Sequence, residues 1–192
     1  MAEEVKTEAV AAQEPEVAVE PVAAAGMSAM AQMVGGVLLD RVKSMVPCTC
    51  TNTESAALPA RIADVWSKIR YWKLEELAPG IVQSTEWTDG AAGRVDSTVK
   101  ISYTNGAQWY WRVTELSERN HTIAYELIMT EPAVSVSSIN GEISLKAVTD
   151  SDQTFISWHT EYSNDVDADF MGDARWKKRD MFAEMKRTLA AQ

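Results

Sequence analysis

The sequence predicts an α+β domain: a curved, antiparallel, seven-stranded sheet closing on a long C-terminal helix, with two short helices after the first strand. Three observations carry that prediction. Strand-length segments recur between residues 81 and 163, separated by the turn-forming breaks DGAAG, TNGA, SERN, EPA and TDSDQ. A long stretch after them, from about Asp167 to Ala190, places apolar residues at helical spacing. Antiparallel strands followed by a helix bury one sheet face against that helix. A sheet that curls round one helix leaves a hollow between the two.

The elements follow in chain order. "PCTCTNTESAAL" alternates and reads as the first strand. "PARIADVWSKI" opens with Pro59, tolerated in a first helical turn, and Ile62, Val65, Trp66 and Ile69 give it an apolar face. "YWKLEEL" makes a second short helix, which Pro79-Gly80 stops. Strands are then expected near 81–88, 94–103, 107–116, 121–130, 134–148 and 153–163. The C-terminal helix carries the stripe Met171, Ala174, Met181, Phe182, Met185 and Leu189. This domain spans 47–192, and no internal repeat is visible.

Two segments precede it. Residues 1–25 hold six Glu, one Lys, Pro15 and Pro21 but no aromatic residue, and read as a disordered acidic tail. In residues 26–46, Met27, Met30, Met33, Val34, Val37, Leu38, Val42 and Met45 form one apolar helical stripe, weakened by Gly35-Gly36. This amphipathic helix has three candidate destinations: the following domain, a peripheral membrane surface, or a partner protein.

Composition narrows the function classes. The net charge is −10, of which −6 falls on residues 47–192. An acidic domain argues against nucleic acid, whose binding depends on Lys and Arg neutralising phosphates. Two His and no CxxC argue against a zinc site. Cys48 and Cys50, two residues apart, fit disulfide geometry poorly; a reduced pair points to a reducing compartment and so to the cytoplasm. The start "MAEEVKTEAV" lacks the basic region of a secretory signal. No apolar run reaches the ~20 residues of a membrane span. No Ser-His-Asp set, phosphate-cradling glycine loop or cofactor motif appears.

The joint order of landmarks resembles the helix-grip, START-like superfamily. That group includes START domains, birch-pollen-allergen-like proteins, polyketide cyclase/dehydrase-like proteins and plant abscisic acid receptors. The matching residues are "ALPARIADVWSKI", Trp72, "APG" at 78–80, the strand start at Gly93 and "WRVTEL" at 111–116. Tyr125 in "AYELIMTEP", Trp158 in "TFISWHTEYS" and the C-terminal helix complete the set, so the resemblance covers about 47–190. It implies an internal cavity for apolar or amphipathic small molecules such as lipids, isoprenoids or polyketides. It also implies that a minority of members catalyse cyclisation, dehydration or isomerisation. Residues 93–132 are further similar to the onion lachrymatory-factor synthase branch, whose enzymes use a pocket arginine and glutamate. Here Asp96 stands near the arginine's place and Gly106 to Trp111 contains no acid, so that chemistry does not carry over. The receptor gate "SGLPA" and its "HRL" latch are absent too.

The candidate site follows from the hairpin around Asn105-Gly106. A two-residue type I′ turn there pairs Thr104 with Ala107, Ser102 with Trp109, and Lys100 with Trp111. Asp96, Thr98 and Lys100 then share the face of Trp109 and Trp111, which is also the inward face that the resemblance implies. A three-residue loop instead pairs Tyr103 with Trp109 and Ile101 with Trp111, making that face wholly apolar; a one-residue change in register flips a strand. On the first register the ligand wall comprises Thr98, Trp109, Trp111, Leu127, Met129 and Trp158, with Met181 and Met185 from the helix. Asp96, Lys100 and Tyr125 are the candidates for proton transfer: Lys100 would orient a ligand carboxylate or enolate, and a carboxylate in an apolar pocket has a raised pKa that suits acid/base work. The same residues packed solid would be an ordinary core.

Three functions fit. The first is a carrier of a small hydrophobic ligand. The second is a cyclase/dehydrase-like enzyme using Asp96, Lys100 and Tyr125. The third is an interaction subunit that docks through helix 26–46. No cofactor is implied by any of them.

Overall fold

The computed structural model describes residues 50–191; the acidic tail expected over 1–25 and the amphipathic helix expected over 26–46 lie outside the described residues, as does Cys48. The chain runs β1 (Thr51–Leu58), α1 (Ile62–Ile69), α2 (Leu74–Leu77), β2 (Val82–Asp89), β3 (Thr98–Tyr103) and β4 (Gln108–Ser117). It continues through β5 (Thr122–Glu131), β6 (Ile139–Val148), β7 (Gln153–Tyr162) and α3 (Ala168–Ala190). The strands form one antiparallel sheet in the order β1-β7-β6-β5-β4-β3-β2. Strands β2 to β7 are thus a meander, and β1 returns to pair with β7.

Alternation sorts each strand into two faces. Val99 and Ile101 of β3, Trp111 and Val113 of β4, Ile123 and Tyr125 of β5, and Ile143 and Leu145 of β6 are buried on the inner face. α3 lies on that face. Its Asp167 cap accepts the Phe170 N–H at 2.6 Å. Its buried stripe is Met171, Lys178, Met181, Phe182, Met185 and Leu189. Arg179 grips Glu54 of β1 at 2.9 Å, and Glu184 accepts the Gly80 N–H at 3.0 Å. α1 and α2 join the same core through Val65, Trp66, Ile69, Leu74 and Leu77. Among the described residues no helix is long and apolar enough to cross a membrane.

Two strands begin later than the sequence suggests. β3 starts at Thr98 rather than 94, because Gly93 and Asp96 take φ of 69° and 65° and turn the chain out of extended geometry. β6 starts at Ile139 rather than 134. The preceding segment is tied instead to the loop after β7, through Ser137 N–H to Asp165 and Ser138 N–H to Ser163, both at 2.9 Å.

The hairpin register is corrected by the structure. Tyr103 N–H donates to Ala107 O at 2.9 Å, and Thr104, Asn105 and Gly106 form a three-residue loop. Gly106 takes φ 88° as its third member, so the Asn-Gly pair marks a turn followed by a left-handed glycine, not a two-residue turn. Ile101 therefore faces Trp109, Val99 faces Trp111 and Lys100 faces Tyr110. Neither anticipated pairing is observed. The inner face is nonetheless the wholly apolar one, with Thr98 and Lys100 on the outer face.

Candidate functional site

Between the inner face and α3 lies a cavity of about 270 Å³. Its sheet wall is aromatic. Tyr103 of β3 meets Trp109 of β4 edge to face at a centroid separation of 6.4 Å. Trp109 and Trp111 are 5.4 Å apart and tilted by 31°; Trp111 meets Tyr125 edge-on at 4.8 Å. Such offset and T-shaped contacts are the favourable ones for ring quadrupoles. Trp158 of β7 donates its indole N–H to the Tyr125 hydroxyl. α3 supplies Phe170, Ala174, Lys178 and Met181 opposite.

Tyr125 holds its position because β6 leaves room for it. Gly141 pairs with Tyr125, and a Cβ at Gly141 would stand 2.3 Å from the Tyr125 Cζ and hydroxyl. The ring therefore crosses β6 and reaches Trp158. Burial pushes the Tyr125 phenol well above its ordinary pKa, while the hydrogen bond from Trp158 partly opposes the shift.

The β1 side of the cavity is polar. Lys178 is buried, and its Nζ donates to Asn52 Oδ1, to Trp158 O at 3.2 Å and to Asn52 O at 3.5 Å. Asn52 Nδ2 in turn donates to the Tyr162 hydroxyl at 2.8 Å. Burial lowers the Lys178 pKa to about 8; Glu54 opposes that shift and Arg175 adds to it. The mouth lies between α3, at Lys177 and Asp180, and the β3–β4 turn, at Thr104, Asn105 and Ala107.

The expected site residues divide sharply. Trp109, Trp111, Tyr125, Trp158 and Met181 line the cavity. Leu127 packs half-buried against the core, and Met185 is wholly buried within it; neither borders the cavity. The other four are corrected. Thr98 and Lys100 stand on the outer face opposite Arg112 and Tyr110, with Lys100 Nζ 5.8 Å from the Tyr110 ring centre. Asp96 is exposed in the loop before β3, its backbone turned by φ 65°. Met129 lies opposite Tyr110 and is 44% exposed, because the irregularity at Ile128 inserts one residue into β5 and reverses its alternation.

Lys178, Asn52, Tyr162 and Tyr103 were not among the expected site residues. One of them leaves a clear trace in the sequence. The stripe on α3 has a seven-residue step from Ala174 to Met181, and Lys178 fills it at helical spacing from both sides. A lysine on an apolar stripe is the signal of a buried charge.

Residues 49–191 match the model of a family described as polyketide cyclase/dehydrase and lipid transport. Solved structures share the fold. A protein from Nitrosospira multiformis is 20% identical, with a TM-score of 0.62 over 72% of this chain and 95% of that one. Ara h 8.0201 is 15% identical, with a TM-score of 0.60 over 74% and 98%. The major latex-like protein 151 from Panax ginseng is 14% identical, with a TM-score of 0.56 over 74% and 97%. A comparison of the sequence with curated proteins gives no match.

Proposed function

Because the chain belongs to the polyketide cyclase/dehydrase and lipid-transport family, we propose that its cavity binds one small hydrophobic or amphipathic molecule. The observation that carries this reading is the aromatic cavity of about 270 Å³ between sheet and helix. Concave apolar sites with a few polar groups are where small ligands bind. Trp109, Trp111, Tyr125, Trp158 and Met181 are the contacts that such a ligand makes. Met181 adds an adaptable surface to rigid rings. The carrier reading is favoured over the enzymatic one because, of the three proton-transfer candidates, only Tyr125 borders the cavity; Asp96 and Lys100 do not.

Binding of the neutral dye N-phenylnaphthylamine to the full chain tests the proposal. Saturable binding at one dye per chain is expected, with quenching of tryptophan emission. Ala174→Phe, which places a ring in the cavity, is expected to weaken binding by tenfold or more, about 1.4 kcal/mol. Lys100→Ala is expected to leave it unchanged. Binding that survives Ala174→Phe undiminished would exclude the cavity as the site.

A further inference from the structure

We propose that Lys178 is the anchor for an anionic ligand head, so that the cavity selects small amphiphiles ending in a monocarboxylate. This inference rests on the cavity being a ligand site and specifies the chemistry of its occupant.

Lys178 is the buried charged side chain among the described residues. Its three hydrogen-bond partners are neutral oxygens: Asn52 Oδ1, Asn52 O and Trp158 O. A buried ammonium without a bonded counter-charge is costly. The nearby carboxylate, Glu54, is already engaged by Arg179 at 2.9 Å and Arg175 at 3.3 Å. Lys177 at the mouth is likewise held by Asp173 at 2.6 Å. An anion entering the cavity therefore meets one cation with no carboxylate bonded to it. The contact to Asn52 O, at 3.5 Å, is the longest of the three and the readiest to be exchanged for a ligand oxygen. Tyr162, on the same wall, offers an O–H to the second oxygen.

The charge count sets the class. A monocarboxylate matches one ammonium. A phosphate monoester near neutral pH brings a further charge that nothing bonded to Lys178 offsets. The remaining walls are aromatic and apolar, which suits a hydrocarbon tail.

Titration of Lys178 gives the inference a pH signature. The titratable groups near it or on the cavity wall are Glu54 of β1, Arg175 and Arg179 of α3, Tyr162 of β7, Tyr125 of β5 and Tyr103 of β3, with Lys177 and Asp180 at the mouth. Burial holds all three tyrosines above their ordinary range, so they stay neutral where Lys178 titrates near 8. A carboxylate prefers the ammonium form, so its affinity falls as pH rises above that value.

Calorimetry with dodecanoate, dodecanol and dodecyl phosphate on the full chain tests the inference. At pH 7 dodecanoate is expected to bind at least tenfold tighter than dodecanol, as a charge-assisted hydrogen bond implies. That preference is expected to vanish in Lys178→Gln. In the wild-type chain, which needs no substitution to fold, it is expected to shrink between pH 7 and pH 10. Equal affinities at pH 7, or a preference unchanged in Lys178→Gln or at pH 10, overturn the anchor while leaving the cavity reading standing. Tighter binding of dodecyl phosphate overturns the monocarboxylate class. If none of the three ligands binds and the dye fails too, the cavity reading falls and the anchor falls with it.

Discussion

Tyr125 owes its place in the cavity to a residue that has no side chain. On the inner face the ring spans β6 above Gly141 to meet Trp158, and it stacks edge-on against Trp111 and Trp72. Any Cβ at 141 occupies the space of the ring tip. Gly141→Ala is therefore expected to destabilise the domain by about 1–3 kcal/mol, the usual cost of overpacking. It should also weaken dye binding, because the displaced phenol moves into the cavity. Thermal or urea denaturation measures the first effect and dye titration the second. A double-mutant cycle isolates the cause: with Tyr125→Ala in place, the added methyl has nothing to strike, so its cost should shrink markedly. An equal cost in both backgrounds would refute the account. Sequence alone points to Tyr125 but not to Gly141, since the requirement arises only when β5 and β6 are brought side by side.

The elements were legible where periodicity is long, and less so where one residue decides a face. Helix α3 is expected over Asp167–Ala190 and observed over Ala168–Ala190, because its apolar residues repeat over about five turns. Asp167 is its cap, and Asp167→Ala is expected to cost about 1 kcal/mol, read as a lowered urea midpoint with an unchanged slope. The strand faces are harder. Gly106 in the left-handed region shifts the β3–β4 register by one, and the inserted residue at Ile128 reverses β5 beyond Leu127. Each is a single-residue event in a pattern of period two, so the alternation is right on one side of it and inverted on the other. Lys100 and Met129 were displaced from the site by these two irregularities. The aromatic wall survives because Trp109, Trp111 and Tyr125 keep their parity. The consequence is testable: Asp96→Asn, at an exposed site, and Lys100→Ala, half-buried on the outer face, should each change stability by no more than about 1 kcal/mol. Neither should alter ligand affinity, whereas Trp111→Ala should. A Lys100 variant as impaired in binding as the Trp111 variant would contradict the observed register.

The whole domain is acidic outside and carries a buried cation within, and the two leave opposite marks on its pH dependence. Glu76, Glu184 and Asp165 are held below the ordinary carboxylate range by hydrogen bonds from Lys73, Arg187 and Ser137 respectively. Their contribution is present above the unfolded carboxylate values and is lost as pH falls through the lowered ones. Lys178 works the other way. Its folded pKa, about 8, lies below the ordinary 10.5. Below pH 8 the ammonium is charged in both states, and the folded chain bears the full cost of burying it. Between about 8 and 10.5 the unfolded chain binds more protons, so stability rises with pH, by roughly 3 kcal/mol in the limit. Above pH 10 the tyrosines of the unfolded chain ionise while Tyr125 resists, because burial raises its pKa, and the trend reverses. The unliganded domain should therefore be more stable at pH 9.5 than at pH 7.5, and Lys178→Met should flatten that rise. A bound monocarboxylate should flatten it as well, by supplying the counter-charge and lifting the lysine pKa toward its ordinary value. Urea titrations of the wild-type chain and of Lys178→Met, each with and without dodecanoate, measure these slopes. Parallel curves for the two proteins between pH 7.5 and 9.5 would mean that Lys178 is not the group that couples the cavity to the stability of the fold.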